Sequence, residues 1–205
     1  LSTYEYKGKK ETIVATQFES HYAREAFPCI DEPAAKAVFE LSIAVPDGSD
    51  DIIISNMPEA GVTHSAEQDG TGRDVDLSPE EKGLSGDYLK DFFGSQSVKN
   101  VLFEPTPRMS TYLLAWVIGG FHGKTVKNQH GVEITTYCAL NQELEAVDFA
   151  NEIAARSLEF YDDNFGVAYP LKRLLQVAMP DFEAGAMENW WLVTYRESMM
   201  LAGKD

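Results

Sequence analysis

Over the first 140 residues the apolar positions fall in short extended runs rather than at helical spacing. Glu11 to Glu19 (ETIVATQFE) predicts a strand. Val38 to Val45 alternates, with Phe39, Leu41, Ile43 and Val45 on one face of a half-buried strand. Ile52 to Ile54, Val101 to Phe103, Met109 to Phe121 and Val132 to Leu140 predict further strands. Phe27 to Pro33 (FPCIDEP) reads as a compact turn holding the acids Asp31 and Glu32. Strands at this spacing with no intervening helices predict an antiparallel sandwich or barrel-like sheet.

The pattern changes twice. Ser65 to Asn100 is rich in Gly, Ser, Asp and Glu, with only Tyr88-Leu89 and Phe92-Phe93 as an apolar nucleus, and predicts a long surface loop with a short helix. Its stretch Asp69 to Asp76 (DGTGRDVD) is a poor calcium loop, because the acids miss the alternating ligand positions and no closing Glu follows. From Asn141 the period becomes helical. Asn141 is the expected N-cap, Glu143 and Glu145 suit the first turn, and Gly166 ends the run. Val147, Ala150, Ile153, Ala154, Leu158 and Tyr161 mark the face expected in the core. Leu174 to Met179 and Leu192 to Arg196 return to strand character on either side of Pro180. The expected organisation is a mainly β chain: an antiparallel β domain over 1–124 with an acidic insertion at 65–100, then the start of an α/β domain over 125–205.

The 205 residues are 44% hydrophobic and 11% aromatic, enough for a real core. A formal net charge of −16, from 33 acids against 17 bases, argues against nucleic acid and anionic membrane surfaces as partners. Cys29 and Cys138 are too few for a disulfide framework and are expected as buried free thiols. The longest apolar run, Tyr112 to Phe121, is far shorter than the ~20 residues that span a bilayer. With no leader-like start at Leu1 and no N-x-S/T site, the expected location is cytoplasmic.

The stretch Asp181 to Trp191 (DFEAGAMENWW) carries the candidate chemistry. Gly185 lacks a Cβ and Ala184 and Ala186 are small, so another chain can approach this backbone closely. An extended segment with free N–H and C=O groups takes a peptide as an added strand, and Glu188 sets a negative charge just beyond that edge. A peptide's terminal ammonium held ~4 Å from a carboxylate gains about 1 kcal/mol in water and about 4 at an effective dielectric near 20. An internal peptide nitrogen gains nothing, so such a site would select chain ends. Spacing alone leaves open an ordinary tight crossing with Glu188 solvated and Trp190 and Trp191 in the core.

Gly185-Ala186-Met187-Glu188-Asn189 is identical to the GAMEN signature of the zinc aminopeptidases of the aminopeptidase N group, which include leukotriene A4 hydrolase. Val177 to Phe182, Val193 to Glu197, Thr16 to Glu19 with Ala23-Arg24, Ala26 to Pro33 and Glu104 to Leu114 resemble the same family in the same order. The resemblance implies a saddle-like N-terminal antiparallel β domain followed by the truncated start of a thermolysin-like α/β catalytic domain. It implies a substrate-binding set of Glu188 and Glu19 on the amine, Gly185 and Ala186 on the peptide main chain, and Gln17 and Ala184 beside the first side chain, with Met187 and Asn189 completing the motif. The implied partners are peptides with a free N-terminus and the rest of the catalytic domain. Two features depart from the family: Trp191 stands where a glycine is usual, which bears on the turn leaving the motif, and 65–100 is longer.

The family's zinc site is H-E-x-x-H on a helix, with a further Glu. This chain has only His21, His64, His122 and His130, with no H-x-x-x-H pair. His21, His64 and His130 are expected as plain surface residues. The resemblance therefore implies zinc in the full-length enzyme, none bound to this chain, and no activity from the chain alone. A leukotriene A4 hydrolase-like epoxide hydrolase and a non-catalytic peptide-binding module remain as alternatives.

Overall fold

A computed structural model describes residues 1–65 and 97–202. The calcium-like octet and the helix expected near Tyr88 to Phe93 lie outside the described residues. The strands are β1 (Ser2–Tyr6), β2 (Lys9–Ala15), β3 (Ser42–Pro46), β4 (Ile52–Ser55), β5 (Glu59–Ser65) and β6 (Val98–Phe103). They continue with β7 (Trp116–Gly119), β8 (Phe121–Lys127), β9 (Glu133–Ala139), β10 (Arg173–Met179), β11 (Ala186–Met187) and β12 (Leu192–Arg196). The α-helices are α1 (Ala23–Ala26), α2 (Asp148–Phe165) and α3 (Glu197–Met200).

The chain is mainly β, as its pattern predicts. Two sheets, ordered β1-β2-β7-β4 and β3-β6-β5, are wholly antiparallel. A third, β11-β12-β10-β9-β8, is mixed: β10 runs parallel to both β9 and β12, and the outer pairs are antiparallel. The parallel step from β9 to β10 is made through α2, the βαβ connection that parallel pairing requires. This sheet begins at Phe121, directly after the Gly119-Gly120 junction with β7. At Gly120 a Cβ would stand 2.8 Å from the Tyr4 hydroxyl, which donates to the Gly120 carbonyl and ties β1 to the junction.

The largest apolar cluster joins the four-stranded and mixed sheets through Tyr4, Ile13, Val117, Phe121, Val177 and Leu192, all buried. Each such side chain contributes about 1.5–3 kcal/mol. A second cluster gathers Phe18, Ala23, Met109, Leu113, Leu114 and Met187, with Phe27, Trp116 and Phe182 packed against it. In the mixed sheet, the Thr136 hydroxyl donates to Asn151 Oδ1 (2.6 Å), Asn151 Nδ2 donates to the Lys124 carbonyl (2.9 Å), and Gln176 Nε2 donates to Thr136 (3.0 Å).

Several expectations are corrected. The strand from Glu11 stops at Ala15, since Phe18 turns into the second cluster and the Tyr22 N–H closes a turn on its carbonyl (3.0 Å). Of the 38–45 run only Ser42 to Val45 is strand, and β3 continues to Pro46. Residues 37–41 pair irregularly with 103–109, where Pro105 and Pro107 supply no N–H. Met109 to Phe121 is a bridge at Met109, a 3-10 turn over Thr111–Leu113 and β7, not one strand. Val98 to Asn100 are strand, not loop.

Gly166 does end α2, in the left-handed conformation with φ 64°. The helix starts at Asp148, however, after a 3-10 turn over Leu144–Val147, and Asn141 does not cap it. Ile153 and Tyr161 are exposed, because the face that packs on β8 and β9 is centred on Val147 and the polar Asn151. Cys138 is buried and its thiol is pushed up to about 11, chiefly by burial, while Cys29 is only half-buried.

Candidate functional site

The segment from Pro180 to Trp191 leaves β10, forms β11, and turns back into β12. β11 is an edge of the mixed sheet, with Ala186 opposite Tyr195 and Met187 opposite Thr194. The Arg196 N–H donates to the Gly185 carbonyl (2.9 Å), so Gly185 and Met187 are the residues that bond across to β12. Antiparallel pairs alternate between hydrogen-bonded and non-hydrogen-bonded. The N–H and C=O of Ala186 therefore point away from β12, toward the open side. Glu188, two residues on and roughly 7 Å along an extended chain, is exposed.

Burial alternates through the motif: Ala186, Glu188 and Trp190 are exposed, while Met187 and Asn189 are 0% and 1% exposed. The side chains of Met187 and Asn189 thus support the segment, and only their main chain is available to a ligand. Met187 lies in the second apolar cluster. Asn189 Nδ2 donates to the Leu192 carbonyl (3.2 Å), and the Leu192 N–H donates back to the Asn189 carbonyl (3.3 Å), which closes a four-residue turn. Trp191 sits at the third position of that turn with φ 72°. That is the left-handed region, where a glycine has no Cβ penalty. Its indole is buried among Leu175, Val177 and Leu192, with the Arg173 guanidinium 5.5 Å from the ring centroid. The large side chain is accommodated in the core, behind the edge, and the turn is kept.

The approach to the edge is shaped by Arg196. Its Nε donates to the Phe182 carbonyl (2.9 Å) and its Nη2 to the Glu183 carbonyl, fixing the bend that brings Ala184 and Gly185 to β11. Ala184 is exposed and Gly185 half-buried.

Gln17 and Glu19 belong to the other half of the candidate site. The Thr16 N–H donates to the Trp116 carbonyl (3.2 Å), and its hydroxyl accepts from the Trp116 N–H (3.1 Å). Phe18 is buried edge-on to Trp116 and Phe27, with centroids 5.5 and 6.1 Å apart. Alternation then leaves Gln17 and Glu19 exposed. Phe18 and Met187 share one apolar cluster, so the structure brings the residues immediately before both acids into a common core.

Sequence reasoning missed three supports. Asn56, 1% exposed, donates from Nδ2 to the carbonyls of Leu113 (2.8 Å) and Trp190 (2.7 Å), and its Oδ1 accepts from the Ala115 N–H (2.7 Å). Arg196 is the second. The third is Asp31, which accepts from the Thr111 hydroxyl (2.6 Å) and the Arg24 N–H (3.1 Å) and bolts the Phe27 to Pro33 turn beside the Glu19 segment. These bonds, the Thr111 hydroxyl foremost, hold the Asp31 carboxyl below the usual carboxylate range. Hydrophobic periodicity carries no signal for any of them, because each is a polar side chain whose partners lie outside its own element.

The histidines are spread apart. His130 is exposed but paired with Asp162 (2.8 Å), and His64 with Asp47 (3.1 Å). His21 stacks on Tyr22, and His122 is half-buried. Among the described residues no three His, Cys, Asp or Glu side chains gather as a metal-ligand set. No helix among them is long and apolar enough to cross a membrane.

The Peptidase M1 N-terminal domain profile matches residues 1–72, and the Peptidase family M1 domain profile matches residues 149–205. An Aminopeptidase N of Lactococcus lactis subsp. lactis is 44% identical over 205 residues, all of this chain and 21% of its own length. The Aminopeptidase N of Lactobacillus helveticus is 40% identical over 204 residues, 20% of its length, and the Aminopeptidase M1 of Arabidopsis thaliana 37% over 200 residues, 98% of this chain and 19% of its length. The chain spans about a fifth of the length of the curated relatives it matches. With the open edge at Ala186 in one matched segment, the Glu19 turn in the other, and the whole chain aligning with aminopeptidases, the chain belongs to the M1 peptidase family.

Proposed function

We propose that this chain supplies the part of a zinc aminopeptidase that recognises the free end of a peptide. The peptide adds to β11 as a further strand, bonding to the outward N–H and C=O of Ala186, with the main chain of Gly185 beside it. Its terminal ammonium lies between Glu188 and Glu19, and its first side chain passes Gln17 and Ala184. The observation that carries this reading is the pairing pattern of β11, which directs the Ala186 main chain outward two residues before an exposed carboxylate. The zinc and the hydrolytic step belong to the remainder of the catalytic domain, so the 205 residues alone are expected to release no amino acid.

The test uses the full-length protein. Glu188→Gln is expected to weaken binding of free-amine peptides at least tenfold, the scale of one lost charge-assisted hydrogen bond, and to leave amine-blocked analogues unchanged. Equal losses on both ligands would defeat the reading. Tight amine-dependent binding without chelator-sensitive turnover would instead make the parent a peptide-binding module.

A further inference from the structure

We infer that Asn56 is a positioning residue for amine recognition: its carboxamide fixes the Glu188 turn to the sheet that carries the Glu19 segment. This rests on the reading of Glu188 and Glu19 as the amine site. Asn56 follows β4, in the four-stranded sheet, and Glu188 precedes the turn into β12 of the mixed sheet. The two sheets meet through apolar side chains, which resist separation but give weak control over sliding. Asn56 adds directional bonds across that meeting. Nδ2 spends one N–H on Leu113 and the other on Trp190, two residues after Glu188, and Oδ1 takes the Ala115 N–H. Leu113 and Ala115 lie just before β7, and the Trp116 that opens β7 is also the partner of Thr16, three residues before Glu19. A short bonded path thus runs from the Glu19 segment through Trp116 and Ala115 to Asn56 and on to Trp190.

The bonds are at 2.7 to 2.8 Å from a side chain that is 1% exposed; those to Leu113 and Ala115 are buried and the one to the Trp190 carbonyl is part-buried, so losing them leaves buried amide atoms unpaired at a cost. Two carboxylates closing on one ammonium need their separation held within a fraction of an ångström, because charge-assisted bonds weaken steeply off their optimal distance. A neighbouring side chain supplies a contrast. Ser55 donates to the Ala115 carbonyl (2.8 Å) and is equally buried, but it makes no bond to the Glu188 turn.

The experiment compares Asn56→Ala, the milder Asn56→Ser, and Ser55→Ala in the full-length protein. Each is titrated with an amine-bearing peptide inhibitor and its deaminated analogue, and unfolding midpoints are recorded alongside. The Asn56 variants are expected to lose about tenfold of the preference for the amine, the scale of one charged hydrogen bond misplaced. Ser55→Ala is expected to lower the midpoint and keep the preference. Added to Glu188→Gln, Asn56→Ala should cost little further preference, since both act on one interaction. A folded Asn56 variant with wild-type preference overturns the inference and leaves the Glu188 reading standing. A wild-type protein without any amine preference sinks both.

Discussion

The residue at the third position of the Asn189–Leu192 turn sets two large effects against each other. Trp191 holds φ at 72°, which costs an L-residue about 1–2 kcal/mol. It also buries an indole that is 6% exposed, and truncating such an aromatic to alanine costs about 3–5 kcal/mol. The Arg173 guanidinium 5.5 Å from the ring adds about 0.5–1 kcal/mol. Against this, the indole N–H is buried without a partner among the described residues, which lowers the net worth of the side chain. Packing wins, so Trp191→Ala and Trp191→Gly are both expected to destabilise. The informative quantity is the difference between them. Both delete the indole, but only alanine keeps a Cβ in the left-handed region. Glycine gives back about 0.5–1 kcal/mol in chain entropy, so it should be the more stable variant by a few tenths to 1 kcal/mol. That order reverses the usual one for alanine and glycine. Urea unfolding of the full-length variants, compared at equal slope, measures it. An alanine variant as stable as the glycine variant would show that the turn is not left-handed at Trp191 and would refute the account of the motif's exit.

Two further outcomes follow from the supports around the site. Arg196→Met removes both guanidinium bonds to the carbonyls of Phe182 and Glu183 and should cost about 1.5–3 kcal/mol. Amide exchange over Glu183 to Met187 should quicken, and unchanged exchange there would mean the bend holds without Arg196. Asp31 carries a depressed pKa, so the folded state binds its proton less readily than the unfolded state. Its stabilisation is present above the ordinary carboxylate range near pH ~4 and is lost as pH falls through the lower folded value. Asp31→Asn should therefore lower the unfolding midpoint near neutrality and flatten its acid dependence; an acid limb as steep as the wild type's would count against that role.

What the sequence disclosed depended on where each strand lies. Leu192 to Arg196 was legible to its boundaries and β10 to within a residue, because interior strands of a sheet covered on both faces read as apolar runs. The strands missed were β1, β5 and β8, and all three are sheet edges whose residues (STYEY, EAGVTHS, FHGKTVK) mix charge, glycine and threonine among few apolar positions. In these three, water reaches one side and polar residues erase the pattern, whereas the edge strands β3 (SIAVP) and β4 (IIIS) keep apolar runs and were legible. In α2 the buried place belongs to Asn151, so apolar spacing pointed to a face that is partly exposed. At the site, Glu188 and the small residues were legible because their chemistry is local. Asn56 and Asp31 were not, because Asn56 bonds to a backbone carbonyl 134 residues away and Asp31 accepts from the hydroxyl of Thr111, 80 residues away, and no local pattern encodes so distant a partner.

The exposure of Glu188 and Glu19 limits how much either can discriminate by itself. In water an ammonium 4 Å from one carboxylate gains about 1 kcal/mol, roughly fivefold in affinity, and salt screens even that. At an effective dielectric near 20 the same pair gains about 4 kcal/mol, roughly a thousandfold. The carboxylates are the same in both cases; only the water around them differs. Under the proposed reading, strong selection for peptide termini therefore requires that a peptide docked along Ala186 be covered as it binds. Free-amine preference in the full-length protein should then exceed fivefold and change little between 0.05 and 0.5 M salt, taken as about a threefold range in Debye length. A preference of only a few-fold that fades with salt would place the ammonium in open water, and the edge rather than the acids would carry recognition.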